Sequence, residues 1–217
     1  MIWLPFIISF LTGFALIGLL DRQERSVDPL MHLFLSPGLG LGLCSFLNFL
    51  TIILQDRFVS AFAIGSCVLT TLALVTLWGL EWKSVLKPLF AIERFAAKDL
   101  WLIPVLLLIA WPAWIDTNLY PMGGWDAWSS WNLKAKFIFL GGERWKDMFS
   151  PVLWRSSPHY PLLLPLMNVW GWSFTGLTDP RIPMLTSMVF TISTGGLLYA
   201  AIRALTQKIT GDRKSVV

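Results

Sequence analysis

The chain has 217 residues, of which 55% are hydrophobic and only 14% are charged. Because about a quarter of the residues of a soluble domain are charged, this composition is typical of a polytopic membrane protein. The net charge of +4 suits contact with anionic lipid headgroups, but it is too small and too scattered to indicate nucleic-acid binding.

Apolar runs of spanning length recur along the whole chain. A membrane-spanning helix needs about 20 largely apolar residues. The candidate runs are Ile2–Leu20, Pro29–Gln55, Phe58–Leu80, Leu100–Ile115, Tyr160–Thr178 and Ile182–Ala204. We therefore predict an all-α fold with about six spanning helices. The first run has no basic segment before it and no small-residue cleavage site after it, which favours a retained helix over a signal peptide.

The second run contains a glycine series, Pro37-Gly38-Leu39-Gly40-Leu41-Gly42. It lacks the spacing and strand context of a dinucleotide-binding loop, so it predicts a bend or a close helix contact. Cys44 and Cys67 both lie in apolar runs and are expected to be packing residues. With these two cysteines and two histidines, the sequence indicates no zinc-type metal site.

Charge between the third and fourth runs sets the predicted orientation. Lys83–Asp99 reads as an amphipathic interfacial helix whose basic stripe indicates the cytoplasmic side. The long loop 117–159 then lies outside, in the periplasm if the membrane is a bacterial inner membrane. The basic residues of that loop and of the tail violate a simple positive-inside count, and phosphate binding would account for those in the loop. The loop residues concerned are Lys134, Lys136, Arg144, Lys146 and Arg155.

The long loop begins with a Gly123-Gly124 turn and a segment free of Pro and Gly from Trp125 to Leu140, which predicts a helix. Asp126, Ser130 and Lys134 would share one face of it. Trp125, Trp128 and Trp131 step by three along a neighbouring face, as expected for a helix in the membrane interface. A shorter amphipathic piece follows at Glu143–Phe149, and His159-Tyr160-Pro161 leads into the fifth run.

These loop motifs resemble a known family. Gly124-Trp125-Asp126-Ala127-Trp128, Trp131-Asn132-Leu133-Lys134-Ala135-Lys136 and His159-Tyr160-Pro161-Leu162-Leu163-Leu164-Pro165, preceded by Asp116, look like the first extracytoplasmic loop of bacterial GT-C type glycosyltransferases. That group includes the protein O-mannosyltransferases and the aminoarabinose transferases, which are polytopic and use polyprenyl-phosphate-linked sugars. The resemblance covers about residues 100–205.

The resemblance implies a sugar donor on a lipid phosphate and an acceptor at the outer leaflet. Asp126 matches the family's early acidic residue, which acts as general base or helps to bind a metal, so a divalent cation is the one candidate cofactor. A carboxylate is needed within hydrogen-bond reach of the acceptor hydroxyl, and cations are needed at the departing phosphate. The candidates for binding phosphate or substrate are Lys134, Lys136, Arg155, His159 and Tyr160. Trp125, Trp128 and Trp131 would stack on sugar or line the prenyl chain.

Structural roles for the same residues remain open. Asp126 would also serve as a helix cap, the cations as contacts to lipid phosphate, the tryptophans as interface anchors and His159 as a turn residue.

We divide the chain into an N-terminal membrane region (1–99), a GT-C-like module (100–205) and a polar tail (206–217). GT-C enzymes carry further spanning helices after this point, so we expect either the N-terminal portion of a longer product or a truncated relative. The alternative function is a non-catalytic scaffold subunit within a larger integral membrane complex, respiratory or photosynthetic, with other membrane subunits as partners.

Overall fold

The computed structural model of the chain describes residues 1–21, 27–79 and 100–214, with side chains as far as Thr206. The predicted amphipathic helix Lys83–Asp99 and the basic residues Arg22 and Arg25 lie outside the described residues. Every described element is helical, which confirms the all-α prediction for this part of the chain. The α-helices are α1 (Leu4–Leu20), α2 (Pro29–Gln55), α3 (Ser60–Gly79), α4 (Leu102–Leu119), α5 (Leu133–Leu140), α6 (Leu163–Thr175) and α7 (Arg181–Lys214).

Four described helices, α2, α3, α4 and α7 over Arg181–Thr206, are long and apolar enough to cross a membrane. Helix α1 is apolar as well but has 17 residues. The predicted fifth run is helical only over the 13 residues of α6. At about 1.5 Å per residue α6 is roughly 20 Å long, which is shorter than the hydrocarbon core of about 30 Å.

Helices α1 and α2 cross at small residues. Ser9 and Gly13 of α1 face Ser36 and Gly40 of α2, and neither glycine has room for a methyl group beside the opposite backbone. The close helix contact predicted from the glycine series is therefore present at Gly40. Small residues at such a crossing let two apolar helices approach closely and gain van der Waals contact.

The helix directions follow from contacts along the bundle. Helix α7 runs antiparallel to α2, because Gly38 lies near Phe190 whereas Leu30 packs in one cluster with Ala200. The same cluster contains Leu102, the first residue of α4, so α4 begins at the end of the bundle where α2 begins. The end of α4 and the start of α7 consequently share the other end.

The end of the bundle marked by Asp56, Trp145 and Asp179 is called the loop end here. Trp145 Nε1 donates to the Asp56 backbone carbonyl at 2.9 Å, and Lys146 Nζ lies 2.5 Å from the Asp56 carboxylate. Asp56 follows α2, so these contacts seat the 3₁₀ helix Gly142–Phe149 at that end. The Arg181 guanidinium lowers the pKa of the Asp179 carboxyl, and the N-terminal ammonium adds to this, so the N-terminus lies there too.

Helix α6 enters the bundle from the loop end and returns to it. Ser45 Oγ donates to the Leu163 carbonyl at 2.6 Å, and Ser45 lies ten residues before the end of α2, at a depth of roughly 15 Å. From there α6 leads back to Gly171, which packs against Ile182 in the first turn of α7. The helix ends at Gly176, whose φ of 70° is the left-handed conformation that glycine adopts readily.

Candidate functional site

A cavity of about 640 Å³ lies at the loop end between α4, α6, α7 and the turn that follows α4. Most of its lining side chains are apolar, and they come from α6, α7 and the segments before them. Its polar lining includes Asp116 near the end of α4 and the amides of Asn132 and Asn168. A largely apolar cavity with a few convergent polar groups is the usual form of a small-molecule site.

The segment 125–140 is helical as predicted, but its middle, Ala127–Asn132, is a π-helix. A π-turn takes more residues per turn than an α-helix, so it rotates the side chains that follow. Ser130 and Lys134 are buried, whereas Asp126 is exposed. The predicted common face of Asp126, Ser130 and Lys134 is therefore not present. Within the described residues, Asp126 makes no side-chain hydrogen bond or ion pair, and it does not line the cavity.

Lys134 is 1% exposed and has no carboxylate partner among the described residues. Its Nζ donates to the Ser157 carbonyl at 2.6 Å, with the Tyr160 carbonyl at 3.5 Å. The ammonium also lies 5.6 Å and 5.3 Å from the ring centroids of Trp131 and Tyr160. Burial lowers the pKa of Lys134, because desolvation disfavours the ammonium form. Lys134 thus joins α5 to the segment that leads into α6.

Two buried amides connect the π-helix to α6. Asn132 Nδ2 donates to the Met122 carbonyl at 2.8 Å, and Asn168 Nδ2 donates to Asn132 Oδ1 at 2.7 Å. Both residues are 3% exposed. Asn168 Oδ1 is buried and has no hydrogen-bond partner among the described residues. An unpaired buried acceptor is costly, so this oxygen is notable in a residue that also lines the cavity.

The predicted aromatic and histidine residues divide into two groups. Trp131 stacks on Tyr160 with centroids 5.2 Å apart, and His159 meets Tyr160 edge-on at 4.9 Å. Trp125 and Trp128 form a separate edge-to-face pair at 4.7 Å and are largely exposed. Of the five residues, only Trp131 lines the cavity.

The other basic residues predicted for the site, Lys136 and Arg155, do not join the group formed by Lys134, Trp131 and Tyr160. Arg155 is exposed, and its guanidinium lies 5.1 Å from the ring centroid of Trp154. Lys136 is partly exposed. The structure therefore brings Trp131, Lys134, Tyr160 and His159 together, and leaves the other predicted site residues outside this group.

The polar residues of the cavity wall were not among the predicted site residues, and two of them are instructive. Asp116 precedes the family-like motif in the sequence and received no predicted role, yet it lines the cavity. Asn168 is a polar residue inside the apolar run that forms α6. A polar residue within such a run is itself a signal of a functional site, so Asn168 could have been found from the sequence.

In the described part of the chain, no group of three or more His, Cys, Asp or Glu side chains is positioned to hold a metal ion. Comparison of the chain with protein-family models, curated proteins and solved structures finds no match in any of the three. The class is therefore defined by the fold alone. The described residues form an all-helical protein whose apolar helices are suited to a membrane.

Proposed function

We propose that this chain is a GT-C type, glycosyltransferase-like membrane protein that handles a sugar on a polyprenyl-phosphate carrier. The reaction would transfer the sugar to an acceptor hydroxyl at the outer leaflet, with the loop end in the periplasm of a bacterium. The observation that carries the proposal is the cavity of about 640 Å³ at the loop end. A prenyl chain needs apolar walls, and a sugar needs a few fixed polar groups among them.

The acid–base chemistry requires a carboxylate near the reacting hydroxyl. Two carboxylates are candidates for this role. Asp116 belongs to the cavity lining, whereas Asp126 occupies the position that matches the family motif and is exposed. Catalytic groups often reach their working geometry only when substrate is bound, so an exposed Asp126 remains a candidate.

The proposed membrane arrangement has five spans, α1 to α4 and α7, with α6 as a re-entrant helix. It is supported by the 13-residue length of α6 and by the contacts that bring both of its neighbouring loops to the loop end. In this arrangement α1 and α3 end, and α2 and α4 begin, on the opposite, cytoplasmic side, where α7 also ends. Basic residues of the sequence between those helix ends, such as Arg22 and Lys83, would then follow the positive-inside rule. A sixth span would instead place the end of α7 on the periplasmic side.

The test compares charge-neutralising variants of the two carboxylates in membranes that contain the full chain. Asp116→Asn and Asp126→Asn are assayed for transfer of sugar from a prenyl-phosphate hexose. Loss of a general base typically costs about 10²- to 10⁴-fold in rate, so we expect a loss of that size for the residue that acts as base. Asp147→Asn is the matched control, because Asp147 is a surface residue paired with exposed Arg144.

A wild-type chain that transfers no sugar from any prenyl-phosphate hexose would contradict the proposal. Full activity in both Asp variants would also contradict it, because neither candidate carboxylate would then serve the acceptor. Loss in Asp147→Asn equal to that in the other variants would show a general folding defect instead of a catalytic effect.

The scaffold alternative is favoured by one observation. Among the described residues, helix α4 packs mainly against α7, and Leu102 is its one buried residue. Its outward surface carries large apolar side chains that include Trp111 and Trp114. A partner's spanning helix could cover that surface as well as lipid does. A stable stoichiometric complex of the native protein, with no transfer activity, would support this alternative.

A further inference from the structure

We infer that the 3₁₀ helix Pro151–Ser156 is a membrane anchor at the loop end. It inserts Val152 and Trp154 into the adjacent lipid leaflet and binds a lipid phosphate through Arg155. The partner of this surface is the phospholipid leaflet itself. The inference goes beyond the proposed function, because it holds whether or not the chain transfers sugar.

The chain that follows this helix is too short to let it rise far above the bundle. The Leu163 carbonyl accepts from Ser45, roughly 15 Å below the end of α2. Tyr160 N donates to the Ser157 carbonyl, so residues 157–160 form a tight turn that spans at most about 7 Å. The three steps from Tyr160 to Leu163 add at most about 11 Å. Ser157 therefore lies no more than a few ångströms above the end of α2.

The end of α2 corresponds to the level of the lipid headgroups. Helix α2 has 27 residues and is roughly 40 Å long, whereas the hydrocarbon core is about 30 Å thick. When the helix is centred on the core, its end stands about 5 Å outside it, within the headgroup region. Buried Lys134 donates to the Ser157 carbonyl at 2.6 Å, which holds the end of the 3₁₀ helix at this level.

The side chains exposed at this level are of the kinds that bind a leaflet. Val152 is 85% exposed and Trp154 is 68% exposed. Tryptophan favours the boundary between headgroups and acyl chains. Arg155 is exposed beside the Trp154 ring, and in the described part of the chain it forms no ion pair. Its guanidinium can therefore bind a phosphate with two parallel hydrogen bonds.

The small size of this surface favours lipid over a protein partner. A stable protein interface buries about 800 Å² on each side, which is more than the few apolar side chains of a six-residue helix provide. A leaflet needs no such area, because the spanning helices already hold the chain in the membrane. Insertion then adds to an attachment that exists without it.

The test places a fluorescent nitrobenzoxadiazole group on Val152→Cys in the full chain. The protein is held in nanodiscs of phosphatidylcholine and phosphatidylglycerol. Native Cys44 and Cys67 are 0% exposed, so the unmutated chain gives the background labelling. Glu143→Cys is the matched control, because Glu143 is exposed on the neighbouring 3₁₀ helix Gly142–Phe149 at the same end of the bundle.

The probe at position 152 should emit at shorter wavelength than the probe at position 143. It should be quenched by phospholipids with brominated acyl chains and shielded from iodide in the aqueous phase. The probe at position 143 should show the opposite pattern, because its helix carries charged side chains and faces water.

Arg155→Gln, added to the Val152→Cys chain, tests the phosphate contact. One basic side chain at an anionic membrane surface shifts an equilibrium by about fivefold. The ratio of iodide-accessible to shielded probe should therefore rise by about that factor, and Arg155→Lys should keep most of the original shielding. Arg144→Gln should leave the ratio unchanged, because Arg144 is paired with Asp147 on the neighbouring helix.

Equal iodide quenching at positions 152 and 143 would overturn the inference, because the 3₁₀ helix would then face water. Shielding without quenching by brominated lipid would also overturn it, since a protein partner or a second copy of the chain would then cover the helix. An unchanged ratio in Arg155→Gln would remove the phosphate contact. None of these measurements involves sugar transfer, so failure of the proposed function is a separate result.

Discussion

The crossing of α1 and α2 allows a sharp prediction, Gly40→Ala. A Cβ built on Gly40 would lie 2.5 Å from the Ser9 carbonyl carbon and closer still to its oxygen. Ordinary contact begins near 3.4 Å, so the two backbones must separate by at least 0.9 Å. Because both contacts involve helix backbone, no side-chain rotation can relieve them.

The expected cost of Gly40→Ala is about 3 kcal/mol, the upper part of the usual range for overpacking. The displacement also reaches the cavity. Ser9 Oγ accepts from Trp170 Nε1 at 3.0 Å, and Trp170 lies on α6 with Asn168. We therefore expect Gly40→Ala to shift α6, which lines the cavity, as well as to lower stability.

Gly42→Ala is the matched control, since it lies on the same helix and its Cβ would meet nothing within 4 Å. Replacing an interior helix glycine by alanine at such a site should be neutral or stabilising by about 0.5–1 kcal/mol. Unfolding of the two variants in mixed micelles, followed by circular dichroism as dodecyl sulfate is added, gives the difference. Equal midpoints for Gly40→Ala and Gly42→Ala would refute the close crossing.

Two further predictions address the loop end and the membrane arrangement. Burial lowers the pKa of Lys134, so the unfolded chain binds this proton more tightly than the native state does. The free energy of unfolding should therefore increase as the pH is raised from the lowered native pKa towards the ordinary value of 10.5. It should be lost again as the pH falls back through the native pKa. The melting temperature of Lys134→Met should lack this pH dependence, and parallel curves for variant and wild type would contradict the assignment. The five-span arrangement is tested with an impermeant maleimide added to intact cells. A cysteine at Glu143→Cys should be labelled, and one at Ser215→Cys should be protected. Labelling of both cysteines would instead support six spans.

Much of the helical framework could be predicted from the sequence, because apolar runs of spanning length leave few other structures available. The start of α2 at Pro29 and its end at Gln55 agree with the predicted run. The glycine series within it was correctly assigned to a close contact. These features depend on local composition, which is apparent in the sequence itself.

The site was harder to predict, because it depends on the direction in which side chains point from their helices and on how far α6 extends into the bundle. The π-turn at Ala127–Asn132 shifts the side chains after it, so the spacing of Asp126 and Lys134 did not place them on one face. The apolar run Tyr160–Thr178 is long enough to suggest a span, yet the helix begins only at Leu163, after Pro161, and Gly176 ends it early. Which residues border the cavity was therefore decided by tertiary packing.

The burial of Lys134 changes where a phosphate-binding cation should be sought. Its ammonium is bonded to the Ser157 carbonyl and shielded by the rings of Trp131 and Tyr160. To bind a lipid phosphate it would have to give up those contacts and carry its charge out of a buried position. Arg155 is exposed and its guanidinium is suited to bidentate phosphate binding. In the proposed reaction Arg155 is thus the better candidate for the departing phosphate, and Lys134 the residue that holds the loop in position.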